Sequence, residues 1–177
     1  MRQMGNMTLE LAAFEEKTVM RQLLSLYKYD FTDYLPDDIN EHGLFEYKYL
    51  DHYWTETGRF PFFLRVDGRL AGLALVRRFE SGDQPYAYDM AEFFVMRKYR
   101  RSGLGRSAAV ELFDRFPGRW TVRQVETNVP SQAFWRNVIR SYTGGSYEEI
   151  RREDWDGPIQ TFVSGGRSAD GADPART

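Results

Sequence analysis

The sequence predicts an α+β fold with one domain, in which about four helices flank a mixed, mostly antiparallel sheet of about six to seven strands. The length of 177 residues fits one domain, and 42% hydrophobic and 16% aromatic residues can form a sizeable core. Alternating apolar runs between turn residues predict the strands, and apolar residues at helical spacing predict the helices. We expect the domain to cover residues 1–164. Residues 165–177 have almost no apolar bulk and are expected to be a disordered tail.

The N-terminal third of the chain begins with a short strand. Residues 7–11 alternate apolar with polar side chains and predict that strand, and residues 14–29 predict the first helix. The helix carries its apolar residues at helical spacing, namely Val19, Leu23 and Leu26. The acidic and aromatic stretch 34–57 is expected to form short helices and loops.

A β-hairpin and a further strand are expected in the middle of the chain. Residues 61–66 and 70–76 are apolar runs separated by Asp67-Gly68, a pair that supplies the positive φ of a type I′ turn. Residues 81–85 form a second turn by composition, and the run 86–96 predicts the fourth strand.

Two helices and three strands complete the predicted fold. Residues 103–116 predict a helix, because Leu104, Ala108, Leu112 and Phe116 recur every four residues before Pro117-Gly118. A fifth strand over 120–126 precedes a helix over 130–142, which begins with proline and ends before two glycines. The runs 146–152 and 160–163 predict the last two strands.

Composition excludes several classes of protein. The chain has no cysteine, which removes disulfides, thiolate nucleophiles and Cys-ligated zinc, and its two histidines lack metal-ligand spacing. We therefore expect no metal. No Gly-x-Ser-x-Gly motif occurs, so a serine hydrolase is not supported. No apolar run is long enough for a transmembrane helix and no signal peptide is evident, so we expect a cytoplasmic protein without a membrane partner.

Charge is distributed unevenly along the chain. Residues 30–56 contain eight acids and one base, a net charge of −7, whereas residues 95–125 contain eight bases and two acids, a net of +6. This asymmetry suggests opposite fields at two ends of one cleft, one for an anion and one for a cation. The alternative is that both segments merely keep the protein soluble. Because the net charge of the whole chain is −2, we expect no nucleic-acid partner.

The strongest motif is a strand, a basic turn, two glycines and a helix, in residues 92–106. Glycines at the start of a helix let an anion approach first-turn N–H groups that have no partner within the helix. The arginines of the turn and the helix dipole add attraction for phosphate. A P-loop is excluded because no Gly-Lys-Ser/Thr follows, and a dinucleotide fold because the third glycine is missing.

Arg100-x-x-Gly103-x-Gly105 resembles the acyl-CoA signature of the GNAT superfamily of N-acyltransferases. The order of predicted elements also agrees with that family, as does Asn128 followed by the aromatic pair Phe134-Trp135. The resemblance implies acetyl-CoA, or another acyl-CoA, as co-substrate, with its pyrophosphate on the backbone of the turn. The implied CoA-binding residues are Phe93, Phe94, Val95, Arg100, Arg101, Ser102, Gly103, Leu104, Gly105, Arg106, Asn128 and Trp135.

One departure from the family concerns the acid that protonates the CoA thiolate. Trp135 stands where many members have a tyrosine, and an indole N–H cannot act as an acid in this pH range. Tyr142, further along the same helix, is a substitute candidate.

The general base is expected on the fourth strand. Glu92 and Asp89 are the two carboxylates there, and regular alternation would place them on opposite faces. Members of the family carry a bulge in this strand that resets the alternation, so both remain candidates, with Glu92 nearer the reaction centre. The alternative for either residue is an ion pair with an arginine.

The acceptor pocket is expected in the acidic N-terminal segment. Aromatic and acidic side chains suit a cationic amine through carboxylate pairing and cation–π contact, but they also suit a core and a solvated surface. The candidates are Tyr29, Asp30, Tyr53 and Trp54, with Tyr27 and Tyr34 nearby.

The resemblance therefore implies an acyltransferase that moves an acetyl or other short acyl group from acyl-CoA to an amine, by direct attack in a ternary complex. The acceptor is a small molecule or a protein amine, and a homodimer is compatible with this function. The alternative is a module of the same shape that binds acyl-CoA or a partner protein without turnover, which Trp135 favours.

Overall fold

A seven-stranded mixed sheet forms the framework of the protein, in the order β1-β2-β3-β4-β5-β7-β6. The computed structural model describes residues 5–81 and 84–165. Strands β1 and β2, β5 and β7, and β6 and β7 pair antiparallel, whereas β4 and β5 pair in parallel. The strands are β1 (Met7–Leu11), β2 (Arg59–Val66), β3 (Arg69–Ser81), β4 (Gln84–Val95), β5 (Gly118–Arg123), β6 (Glu148–Arg152) and β7 (Trp155–Ser164). The predicted α+β class with a mixed sheet is confirmed.

Four α-helices lie among these strands in the described residues, in agreement with the number expected. They are α1 (Lys17–Phe31), α2 (His52–Thr55), α3 (Leu104–Arg115) and α4 (Val129–Thr143), and two 3₁₀ turns cover Phe14–Glu16 and Arg97–Tyr99. None of the described helices is both long and apolar enough to cross a membrane.

The chain divides into two compact units, each with its own core. The first combines Met1–Val76 with Glu92–Gly105, and the second combines Arg77–Ala91 with Arg106–Thr177. In the first unit, α1 and β2 supply much of the buried apolar surface, with side chains that are at most 6% exposed. These residues are Met20, Leu23, Leu24, Phe62, Phe63 and Leu64.

Aromatic packing dominates the core of the second unit. The ring of Phe113 on α3 lies 5.0 Å from that of Trp120, 4.9 Å from that of Phe162 and 5.2 Å from that of Tyr142, measured between centroids. Such edge and tilted contacts add to the free energy gained from burying each ring. The predicted buried positions of the third helix are confirmed, because Leu104, Ala108, Leu112 and Phe116 are all 0–1% exposed.

The hairpin between β2 and β3 is confirmed at the predicted turn. Asp67 and Gly68 have φ angles of 50° and 75°, in the left-handed region that the pair was expected to supply. Further along β3, Gly72 allows β4 to approach closely, since a Cβ atom at this position would lie 2.0 Å from the carbonyl oxygen of Phe94.

The buried face of α1 differs from the prediction. Val19 is 39% and Leu26 50% exposed, whereas Met20, Leu23 and Leu24 are buried. Only Leu23 of the predicted stripe therefore faces the core. The helix also begins at Lys17, after a 3₁₀ turn, and not at Phe14.

Strand β7 is longer than predicted. It begins at Trp155, five residues before the predicted start, and Gly157-Pro158 within it hid the alternating pattern in the sequence. Of the tail predicted to be disordered, residues 166–177 lie outside the described residues.

Candidate functional site

The glycine turn, residues 97–105, connects β4 to α3 and belongs to the first unit. Arg101 and Gly103 have φ angles of 59° and 88°, so the backbone turns sharply before the helix begins. The Ser102 hydroxyl donates to the carbonyl of Tyr99 at 2.6 Å, and Leu104 N–H donates to the Ser102 hydroxyl at 3.4 Å. The first-turn N–H groups of α3 lack partners within the helix, which makes this turn suitable for an anion.

Asp30 on α1 joins two arginines of the glycine turn. Its Oδ1 accepts from Arg97 Nε at 2.7 Å and Nη2 at 2.6 Å, and its Oδ2 accepts from Arg100 Nη2 at 2.5 Å. Burial opposes ionisation, but the hydrogen bonds from Arg100 and Arg97 outweigh it and lower the pKa of the Asp30 carboxyl. The acidic and basic segments of the sequence therefore meet at this residue, where separate fields had been expected.

Glu92, on β4 in the first unit, lies among tyrosines. The hydroxyls of Tyr27 on α1 and Tyr47 in the following loop are hydrogen-bonded to the Glu92 carboxylate. Burial, and then the negative charge of Glu92, raise the pKa of Tyr27 and of Tyr47 well above the ordinary value, and the neighbouring Tyr53 adds to the shift at Tyr47. Both phenols thus stay protonated and are donors to the carboxylate.

Asp89, on the part of β4 that belongs to the second unit, is surrounded by arginines. Its side chain is 3% exposed, and Oδ2 accepts from both Nε and Nη2 of Arg77, with the Nε bond at 3.0 Å. Arg123 Nη2 lies 3.2 Å from the same oxygen, and the Thr121 hydroxyl lies 3.4 Å from Oδ1. Asp89 therefore has the ion-pair environment that was the alternative for each carboxylate of this strand.

The end of β4 extends beyond its pairing with β5. The two strands pair from Ala87 to Met90, and β4 continues to Val95. The Val95 carbonyl accepts from Arg100 Nε at 2.7 Å, while Phe94 is 6% exposed and its ring lies 5.5 Å from that of Tyr27. Of the three strand residues implied in CoA binding, Phe93 and Val95 are half-buried.

In the second unit, Asn128 caps a helix and Trp135 packs in the core. Asn128 caps α4 by accepting from Ser131 N–H at 3.1 Å, a common role for asparagine before a helix. Trp135 is 4% exposed and packs against Phe113, with centroids 6.4 Å apart.

A cavity of about 420 Å³ in the second unit contains the remaining predicted residues, Arg106 and Tyr142. Arg106 Nη2 donates to the Ser141 hydroxyl at 2.7 Å, and the Tyr142 hydroxyl donates to Asp114 Oδ1 at 2.7 Å. The cavity thus presents a guanidinium and a phenol from α3 and α4.

The predicted acceptor residues are spread over the first unit. Tyr29 is 67% exposed, whereas Tyr53 is 3% exposed with Arg59 5.6 Å above its ring. Trp54 donates from Nε1 to the carbonyl of Ala12 at 3.0 Å, which attaches α2 to the end of β1. Asp30 contacts one predicted CoA-binding residue, Arg100, and Tyr53 lies beside Tyr47.

Within residues 5–81 and 84–165, no group of three or more His, Cys, Asp or Glu side chains is arranged to hold a metal ion.

A family model described as the acetyltransferase (GNAT) family matches residues 20–138. The chain belongs to the acetyltransferase (GNAT) family. No curated protein sequence matches it significantly.

Solved structures share the GNAT fold with low sequence identity. A GNAT acetyltransferase from Staphylococcus aureus Mu50 is 14% identical, with a TM-score of 0.64 over 90% of this chain and 100% of that one. An aminoglycoside acetyltransferase from an uncultured soil metagenomic sample, in complex with sisomicin, is 14% identical, with a TM-score of 0.61 over 82% and 93%. The PaiA N-acetyltransferase from Thermoplasma acidophilum, in complex with coenzyme A, is 8% identical, with a TM-score of 0.59 over 88% and 98%.

Sequence reasoning missed two contributors to the site of this GNAT protein. Tyr47 lies in a stretch without helix or strand, so no periodicity in the sequence predicts which way its side chain points. Arg97 entered the sequence interpretation only as one of the positive charges of the turn. The signal that could have found Arg97 was its place immediately after β4, in the same turn as Arg100.

Proposed function

We propose that this protein transfers an acetyl or other short acyl group from acyl-CoA to an amine acceptor, by direct attack in a ternary complex. The observation that carries this proposal is that one unit contains both the turn with positive φ angles at Arg101 and Gly103 and a carboxylate, Glu92, bound by the hydroxyls of Tyr27 and Tyr47. Membership of the GNAT family supports the reaction class.

The CoA phosphates are assigned to the glycine turn. Positive φ angles at Arg101 and Gly103 turn the backbone immediately before α3, first-turn N–H groups of a helix suit an anion, and Arg101 adds an exposed positive charge. Backbone groups at the end of β4, from Phe93 to Val95, are assigned to the pantetheine arm. Bound acetyl-CoA supplies the acetyl group as a thioester. Contributions from Ser102, Leu104, Arg106, Asn128 and Trp135 remain predictions.

Glu92 is proposed as the general base. As the amine attacks the thioester carbonyl, the Glu92 carboxylate accepts the proton that nitrogen must lose, directly or through water. The C–N bond forms, the C–S bond breaks, and CoA leaves as the thiolate. Asp89 is a poorer candidate because two guanidinium groups already bind its carboxylate.

The acid that protonates the CoA thiolate is supported by fewer contacts than Glu92 is as the base. Tyr142 remains the candidate acid, and its hydroxyl already donates to Asp114. Trp135 is buried and has no acidic proton in the working pH range.

A cationic amine, on a small molecule or a protein, is the proposed acceptor. Glu92 supplies a negative charge in the first unit, next to the hydroxyls of Tyr27 and Tyr47, and Tyr53 lies beside Tyr47. One structural neighbour is an aminoglycoside acetyltransferase in complex with sisomicin, so a related fold serves this kind of acceptor.

The test is release of free thiol from acetyl-CoA against a panel of amines, with neutral and anionic acceptors included. We expect thiol release with at least one cationic amine, and none from a Gly103→Glu variant, which fills the anion site and adds a like charge. Gly43→Glu is the matched control, because Gly43 is exposed with open space around it and its φ of 72°, like the 88° of Gly103, puts a side chain under the same kind of backbone strain. CoA binding without turnover on any amine would instead favour the non-catalytic module.

A further inference from the structure

Asp30 was expected to bind the amine acceptor, but its contacts lead to the glycine turn. We infer that Asp30 is a positioning residue for acyl-CoA: it fixes the glycine turn through Arg97 and Arg100 and does not contact the acceptor. This inference rests on the proposed function, because it concerns the same CoA site.

Both carboxylate oxygens of Asp30 are occupied by guanidinium groups. Arg97 uses Nε and Nη2 on Oδ1, at 2.7 Å and 2.6 Å, and Arg100 uses Nη2 on Oδ2 at 2.5 Å. The Asp30 side chain is 22% exposed, whereas Arg97 and Arg100 are 73% and 39% exposed, so Arg100 is the better shielded of the two partners. A carboxylate satisfied in this way has little capacity left for an incoming ammonium.

Arg100 connects Asp30 to the strand that precedes the turn. Its Nε donates to the Val95 carbonyl at 2.7 Å, and its guanidinium lies 5.7 Å from the centre of the Phe94 ring. One side chain therefore joins α1, the last residues of β4 and the start of the turn. Arg101 and Gly103, the two positive-φ residues, follow directly after this anchor.

The arrangement also divides the cations of the turn into two groups. Arg97 and Arg100 share the single negative charge of Asp30, so the three side chains together keep one positive charge, whereas no ion pair is described for Arg101 in residues 5–81 and 84–165. We therefore assign most of the electrostatic attraction for phosphate in this turn to the backbone N–H groups and to Lys98 and Arg101, the exposed cations of the turn for which no ion pair is described within residues 5–81 and 84–165. Arg100, which the acyl-CoA signature includes, acts on the shape of the turn.

Charge and shape predict opposite effects of Asp30→Asn on CoA binding. If Asp30 were only a nearby negative charge, its removal would strengthen the attraction for the phosphates and tighten binding. If Asp30 fixes the turn, its removal frees the two arginines. Part of the free energy of CoA binding is then used to order the turn, and the measured affinity falls. Weaker binding in the variant is therefore a result that charge alone does not produce.

The experiment is isothermal calorimetry of free CoA with the full-length protein. We expect Asp30→Asn to raise the Kd of CoA about fivefold, and Asp30→Glu, which keeps the carboxylate, to restore most of the affinity. In a chain that already carries Arg97→Gln and Arg100→Gln, the added Asp30→Asn change should have no further effect. Thermal unfolding by circular dichroism verifies that each variant is folded.

Unchanged or tighter CoA binding in folded Asp30→Asn would overturn the inference. If that variant does not fold, Arg100→Lys tests the same arrangement, since lysine keeps the charge but cannot join Asp30 and Val95 in the same geometry. Unchanged Kd in Arg100→Lys would also overturn it. Failure of the wild-type protein to bind CoA would instead contradict the proposed function, so the two failures are distinguishable.

Discussion

Two carboxylates on β4, Asp89 and Glu92, are held by different chemistry. Guanidinium groups of Arg77 and Arg123 hold Asp89, whereas phenol hydroxyls of Tyr27 and Tyr47 reach Glu92. Charge-assisted bonds from arginine neutralise a carboxylate, but bonds from neutral hydroxyls orient it and leave its charge in place. The surroundings of each acid, more than its position on the strand, therefore indicate which one can accept a proton.

The largest effect expected from this comparison is on turnover. Glu92→Gln keeps the size of the side chain but removes the basic oxygen, so kcat for acetyl transfer should fall about 100-fold or more. The Kd of CoA should stay within about twofold, because Glu92 acts on the amine. Steady-state kinetics with saturating acetyl-CoA, together with calorimetry of CoA, measures the two effects separately. Equal loss of CoA binding would mean that Glu92 supports the cofactor site.

The reciprocal change, Asp89→Asn, should act on stability. The change removes the negative charge that Arg77 and Arg123 share and leaves a neutral amide buried in its place. We expect the free energy of unfolding to fall by about 2 kcal/mol. This figure is below that for a fully buried pair, since the two arginines are 35% and 33% exposed. Urea unfolding followed by tryptophan fluorescence checks it. At a temperature where the variant is folded, a kcat near that of the wild type is expected.

Removing a tyrosine hydroxyl at Glu92 tests whether the phenols affect ionisation of the proposed base, with a smaller expected effect. Tyr47→Phe removes a donor to the carboxylate, so the ionised form loses stabilisation and the acid limb of the kcat/KM profile should move upward by about 0.5–1 pH unit. Tyr49→Phe, at an exposed tyrosine in the same loop, is the control and should not move the limb. An unshifted limb in Tyr47→Phe would mean that this hydroxyl does not tune the base.

The smallest expected effect is on the pH dependence of stability. It concerns Glu149, which, like Asp89, is bound by an arginine. A hydrogen bond from Arg136, opposed by burial and aided by Gln160, lowers the pKa of Glu149 from 4.5 to about 2. Because the folded pKa is depressed, its stabilising contribution is present above about pH 4.5 and is lost as the pH falls towards 2. Melting temperatures at pH 6 and pH 3 should therefore differ less in Glu149→Gln than in the wild type.

Much of the framework was predictable because local patterns determine it. The Asp67-Gly68 turn, the apolar face of α3 and the glycines at the start of that helix depend on short-range patterns, and the structure bears them out. The prediction of the buried face of α1 was wrong. Val19 and Met20 are adjacent and both apolar, so only packing in the folded chain decides that Met20 is the buried one.

The chemistry of the site was less predictable, because it depends on contacts that are distant in sequence. Asp30 and Arg100 are 70 residues apart, and Asp89 and Arg123 are 34 apart. Composition showed the two opposite charge segments but not that Asp30 would bind Arg97 and Arg100. Partners therefore decided the role of each carboxylate, and partners are a property of the fold.

The most direct test of the separate roles on β4 is the pH dependence of kcat/KM for the amine acceptor. Wild type and Asp89→Asn should both lose activity towards low pH with the same acid limb, because Glu92 is intact in each. In Glu92→Gln the residual activity should lack that limb. An acid limb that persists in Glu92→Gln but disappears in Asp89→Asn would contradict the account and transfer the role of base to Asp89.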